Sequence, residues 1–120
     1  MRKLVYIACP YTLGDVAVNV KNASRVFEYL ANNGVMPFNP ILSHFQHMMY
    51  PRDYNWWLDW DLEFLPKCDA VVRITGESKG ADKETAYAEK LGIPVHRFGG
   101  FNSKDLPALD KFIEQLKAQK

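Results

Sequence analysis

Four short apolar runs punctuate the chain: KLVYIA at Lys3–Ala8, GVMPF at Gly34–Phe38, AVVRI at Ala70–Ile74 and IPVHRF at Ile93–Phe98. They are continuous rather than alternating, the pattern of strands covered on both faces, as in a parallel sheet. Pro37 weakens the second run as a central strand, because it has no amide to give the ladder. Between the runs, apolar residues recur every three or four positions. Val16, Val20, Ala23, Phe27 and Leu30 predict a helix over 15–33, with Gly34 behind it as a C-cap. Tyr54–Leu65 predicts an amphipathic helix that stops before Pro66, and Gly80–Leu91 one that ends at Gly92. Asp105–Lys117 predicts a last helix, with Leu106, Leu109, Phe112, Ile113 and Leu116 packing onto the sheet. This order predicts a single domain over residues 1–120 with a doubly wound α/β fold, Rossmann- or flavodoxin-like. It would have three layers and a parallel sheet of four to five strands. The segment 39–55 reads as irregular, at a length where loops tend to carry function. Ligands in such folds bind beyond the carboxyl ends of the strands, which singles out 9–14, 39–55, 75–80 and 99–103.

Two acids interrupt the helical pattern. Glu84 falls in line with Ala81, Ala88 and Leu91, on or beside the stripe that should face the protein. Asp61 falls among Trp57, Trp60, Phe64 and Leu65, whereas Asp59 and Glu63 share another face with Trp56. A carboxylate removed from water without a partner costs several kcal/mol or takes up a proton. The plain explanation is a pair of partly exposed helix acids, each capping a turn or pairing with Arg25, Arg73 or a lysine. The functional one is a catalytic pair. Glu84 follows a loop-to-helix start, whose partial positive charge favours an ionised nucleophile. Asp61 lies among tryptophans, where desolvation favours a proton donor. Two carboxyls held in different protonation states can cleave a glycosidic bond. In a retaining reaction they would stand about 5–5.5 Å apart.

Composition narrows the partners. With 120 residues, 48% hydrophobic and 24% charged, the chain is ordinary for one globular domain. A net charge of +1 leaves no basic excess to attract a nucleic-acid polymer. Cys9 and Cys68 read as free, partly buried thiols in a reducing compartment. The apolar stretch near Met1 is too short for a signal peptide, and no run approaches a membrane span, so a cytoplasmic protein is expected. His44 and His47 form an H-x-x-H pair near Asp53 but lack further ligand spacing, so neither a metal nor another cofactor is expected. Asp69, which opens the AVVRI strand, reads as structural, accepting backbone hydrogen bonds. Trp56, Trp57 and Trp60 read as core or as a subunit interface.

The residues that carry this reading also resemble a family. DLEFLPKCDAVV followed by SKGADKETAYAEKLGIPV resembles the signature of the nucleoside 2-deoxyribosyltransferase superfamily, which includes 2′-deoxynucleoside 5′-phosphate N-hydrolases. VYIACPY resembles its first strand. The likeness is specific over Asp61–Val95 and looser elsewhere. It implies that Glu84 attacks the anomeric carbon of the sugar, that Asp61 protonates or orients the departing base, and that Tyr6 positions the nucleophile. Ser78 stands where the transferases have a sugar-contacting Asp and the nucleotide hydrolases a Ser that helps hold the 5′-phosphate. CPYTLGD, with a single Gly, is closer to transferase-like sequences. Substrate-binding candidates are Ser78 and Gly80 in one loop, Ala8, Pro10 and Tyr11 after the first strand, and Asn39 and His44 after the second. The expected reaction is hydrolysis of a nucleoside 5′-monophosphate through a glycosyl-enzyme ester. Base exchange by a deoxyribosyltransferase is the alternative, and a non-catalytic nucleotide-binding sensor the second. A homo-oligomer is expected, an assembly that could complete each site across the interface.

Overall fold

The computed structural model describes residues 1–119. Its elements run β1 (Leu4–Ala8), α1 (Val16–Asn32), β2 (Met36–Phe38), α2 (His44–Met49), α3 (Tyr54–Phe64), β3 (Ala70–Ile74), α4 (Lys79–Lys90), β4 (Val95–Phe98) and α5 (Asp105–Ala118). The four strands are parallel in the order β2-β1-β3-β4. The sheet is therefore at the lower end of the expected four to five. Polar side chains start the crossover helices. The Asp15 carboxylate accepts from Ala17 N and Val18 N, Asp53 from Trp56 N, and the Ser78 hydroxyl from Ala81 N.

Helices cover both faces, which is why the strands read as continuous apolar runs. On one face, Val5, Ile7, Ala70, Val72 and Phe98 pack against Ala23, Val26 and Leu30 of α1 and Leu109, Ile113 and Leu116 of α5. On the other, Tyr6, Ala8 and Val71 meet Leu65, Cys68 and the small residues Ala81 and Ala88 of α4. Asp69 clasps the amino end of the sheet, its Oδ2 accepting from Leu4 N at 2.8 Å. Its expected structural role is the one observed. Cys9 and Cys68 are free and buried.

Two expectations need correction. The segment 39–55 is not irregular: a 3-10 turn over Pro40–Ser43 runs into α2. Asn39 Oδ1 caps that turn by accepting from Ile41 N at 3.1 Å, and six helical residues are too few to establish a period. Leu91 is not part of the inner stripe of α4, being 45% exposed. No helix among the described residues is long and apolar enough to cross a membrane.

From β1 the chain moves to one side of the sheet to make β2, then returns to make β3 on the other side of β1. The order reverses between β1 and β3. Adjacent connections diverge there and leave a crevice at the carboxyl ends of those two strands.

Candidate active site

A cavity of about 620 Å³ occupies that crevice, within the range usual for small-molecule sites. Cys9 and the segment after β1, the 3-10 turn, α2, α3 and the start of α4 all contribute to it, and Asp61 and Glu84 line it. Glu84 belongs to the buried line Ala81, Glu84, Thr85 and Ala88, spaced to share one helix face. The alanines on either side bring that face close to the sheet. Asp61 falls between Leu58 and Leu65 on the inner line of the preceding helix. Trp60 and Phe64, expected on that line, instead form an aromatic cluster with Phe38 at the side.

Glu84 is only 5% exposed. The buried Tyr6 hydroxyl, on the central strand, donates to Glu84 Oε2. Asp61 Oδ1 is buried with no hydrogen-bond partner among the described residues, and the Asp61 and Glu84 carboxyls are near enough for each to shift the pKa of the other. Neither acid has a salt bridge among the described residues. Arg73, one of the expected cationic partners, is turned elsewhere. Its guanidinium donates to Ile74 O, to Gly76 O at 2.9 Å and to Asp82 Oδ1 at 3.0 Å, bracing the loop between β3 and α4. The two acids are thus buried without the partner that a purely structural role would supply.

Both carboxyls are pushed well above the ordinary acid range. For Glu84, burial is the largest cause; the Tyr6 hydrogen bond and the more distant Arg73 charge oppose it, and the neighbouring Asp61 adds to it. For Asp61 the cause is burial, opposed by the neighbouring Glu84. Such a pair takes up a proton near neutrality and shares it. The expected division of labour by helix polarity is not what sets the charge on Glu84. The helix begins at Lys79, so Glu84 lies in its second turn, beyond the reach of the terminal dipole. Tyr6, also raised by burial and by the two acids, stays a phenol and serves as a donor.

The structure sorts the other sequence candidates. Ser78, Gly80, Tyr11 and His44 line the cavity, and the Tyr11 hydroxyl is hydrogen-bonded to His44 Nδ1. Ser78 Oγ accepts from Ala81 N as the helix cap, which leaves its O–H free to donate. Ala8 and Asn39 are buried away from the lining, and Pro10 borders only a separate, small recess. Pro10 supports the site indirectly. A Cβ at Gly76, where φ is +136°, would come within 2.7 Å of the Pro10 ring. The loop therefore needs glycine there, both for its backbone conformation and for clearance.

The cavity lining also includes His47, Arg52, Tyr54 and Trp57, to none of which the sequence assigns a substrate contact. Tyr54 approaches the start of α4 so closely that a Cβ on Gly80 would come within 3.0 Å of its hydroxyl. That hydroxyl is also close enough to Glu84 and Asp61 for both to raise its pKa, after burial. Tyr54 lies seven residues before Asp61, so extending the Asp61 stripe one more turn would have found it. Trp57 had been assigned to core or interface. His47 had been weighed only as a metal ligand, whereas its Nδ1 accepts hydrogen bonds from Trp57 Nε1 and Arg52 N.

Residues 3–98 match the family described as Domain of unknown function (DUF7768). The chain belongs to that family. Among solved structures, it is similar to a 2-deoxyribosyltransferase from the psychrotolerant bacterium Bacillus psychrosaccharolyticus. The TM-score is 0.60 at 17% identity, covering 98% of this chain and 92% of that one. No curated protein matches the sequence. The structural likeness extends over nearly the whole DUF7768 chain and shows a shared fold.

Proposed function

We propose that this DUF7768 protein breaks and re-forms the N-glycosidic bond of a 2′-deoxynucleoside, transferring the sugar from one base to another. The observation that carries the reading is the Tyr6–Glu84–Asp61 constellation: two buried carboxyls that shift each other's proton affinity, one held by the Tyr6 hydroxyl and neither in a salt bridge, at the wall of a ligand-sized cavity. The fold it shares with a 2-deoxyribosyltransferase supports transfer over the hydrolysis expected from Ser78.

With the shared proton on Asp61, the ionised Glu84 attacks C1′ as the C1′–N bond breaks. The bonding pair leaves with the base nitrogen, which Asp61 protonates. Tyr6 holds Glu84 Oε2 and orients the attack. In the second step a nitrogen of the incoming base attacks C1′ of the glycosyl ester, and its proton passes to Asp61. Glu84 departs as a carboxylate. Two inversions give net retention. Tyr54, beside the pair, is placed to donate to the sugar. The exposed Phe45, Met48 and Met49 support the expected homo-oligomer.

A second reading, hydrolysis of a nucleoside 5′-monophosphate, is supported by the free donor of Ser78 at the start of α4. The deciding experiment incubates deoxynucleosides and their 5′-monophosphates with and without a second free base, using wild type and Glu84→Gln. Base exchange exceeding hydrolysis, lost in the variant, is the expected result. Release from monophosphates alone would favour the second reading. No turnover by wild type, with equal ligand binding by both proteins, would leave a nucleotide-binding module and overturn both.

A further inference from the structure

His47 is the only lining histidine whose hydrogen bonds determine which ring nitrogen carries the proton. Its Nδ1 lies 2.8 Å from Trp57 Nε1 and 3.2 Å from the backbone N of Arg52. An indole N–H and an amide N–H can only donate, so Nδ1 must present its lone pair to them. The neutral ring therefore carries its proton on Nε2. Among the described residues, that Nε2–H has no acceptor. The Tyr11–His44 contact, by contrast, allows either direction of donation.

The surroundings indicate what this donor meets. The acid pair fixes where C1′ would lie. On one side is the start of α4, with the Ser78 hydroxyl and Gly80. His47 shares the lining with Pro40, Ile41, Trp57 and Leu58, apolar and aromatic side chains suited to a flat heterocycle, and with Arg52, whose guanidinium lies over the Trp56 ring. A donor whose proton position is fixed by its own hydrogen bonds discriminates between an acceptor and a donor at the same position of the ring.

We propose that His47 reads the base, donating from Nε2 to an exocyclic oxygen, so that oxo bases are favoured over their amino counterparts. The inference rests on the proposed glycosidic chemistry and adds to it. A donor on that oxygen also stabilises the negative charge that develops as the base departs, so the preference should be larger in kcat/KM than in binding. An amino base would set N–H against N–H and leave the His47 donor without an acceptor.

The test compares kcat/KM for deoxyinosine with deoxyadenosine, and for deoxyuridine with deoxycytidine, in wild type, His47→Phe, His47→Gln and Trp57→Phe. Wild type is expected to favour the oxo member of at least one pair by about tenfold, the size of one hydrogen bond made or left unsatisfied. His47→Phe should lose that preference through the oxo substrate. His47→Gln, whose amide can accept from Trp57 and donate to the base, should keep part of it. Trp57→Phe removes the indole donor that helps fix the tautomer, so its preference should narrow partly through a gain on the amino substrate. A merely structural role would not produce that gain. No oxo preference in wild type, its survival in His47→Phe, or an equal loss on both members in every variant would overturn the proposal. Calorimetric binding of hypoxanthine and adenine separates the two levels. If wild type turns over nothing but binds hypoxanthine more tightly, and His47→Phe does not, the base-reading role stands and the glycosidic reading fails. Equal binding of the two bases by an inactive wild type would overturn both.

Discussion

Glu84→Gln is expected to stabilise this protein above neutral pH while removing the proposed nucleophile. Burial raises both acids of the Asp61–Glu84 pair, so the folded state holds a proton at pH values where the unfolded chain has lost it. The unfolded chain binds fewer protons in that window, and stability therefore falls as pH rises. The contribution is complete below the ordinary carboxylate range of about 4. It is lost as pH rises through the folded values, which lie near or above neutrality. One proton corresponds to about 1.4 kcal/mol per pH unit. Across about three units the pair accounts for about 4 kcal/mol, a large share of the 5–15 kcal/mol typical of a domain. Glutamine has nearly the same shape, can accept from Tyr6 and donate to Asp61, and carries no charge. At pH 8 it should therefore gain about 2 kcal/mol or more over wild type. At pH 4.5 the two proteins should be nearly equal. Urea titrations of both from pH 4.5 to 8.5 measure this directly. His96, whose pKa is lowered by burial, contributes with the opposite sign, but it is common to both proteins and cancels in the difference. A difference independent of pH, or a variant less stable at pH 8, would refute the argument that a buried acid pair with no salt bridge occupies this site.

Two further outcomes follow from named contacts. Asp61→Asn keeps the shape of the site but lacks a transferable proton, so base release from natural deoxynucleosides should fall by about 10²–10⁴. The deficit should shrink for a synthetic base that leaves without protonation, which steady-state kinetics on both substrate types would check. Gly76→Ala puts a Cβ against Pro10 in a backbone conformation that disfavours side chains, and should cost about 1–3 kcal/mol, read as a lower urea midpoint.

The layers were legible in the sequence because each strand is an unbroken apolar run and each long helix repeats its inner residues over several turns. Asp61 and Glu84 stood out by the same logic, as charges where the period calls for apolar side chains. Asn39–Asn55 was not legible. A six-residue helix offers less than two turns of pattern, and its start is set by the Asn39 cap rather than by periodicity. The charge state of Glu84 was misread because helix polarity is a first-turn effect, whereas burial depends on the packing of Ala81 and Ala88 against the sheet. His47 was missed for a similar reason: its role depends on Trp57 and Arg52, which only the fold of α2 onto α3 brings to its ring.

The position of Tyr6 bears on how the site comes into being. It lies on a central strand made early in synthesis, yet its acid partner Glu84 is 78 residues away along the chain. The sheet neighbours of that strand are also distant in sequence, since Tyr6 pairs with Val71 and Phe38. Such long-range pairings close large loops and form late in folding. The nascent chain would therefore have no complete acid pair until α4 has emerged and packed, and no fragment ending before it could carry out the proposed transfer. Recovery of turnover during refolding would then report the final docking of α4, a later event than the return of helical signal from α1.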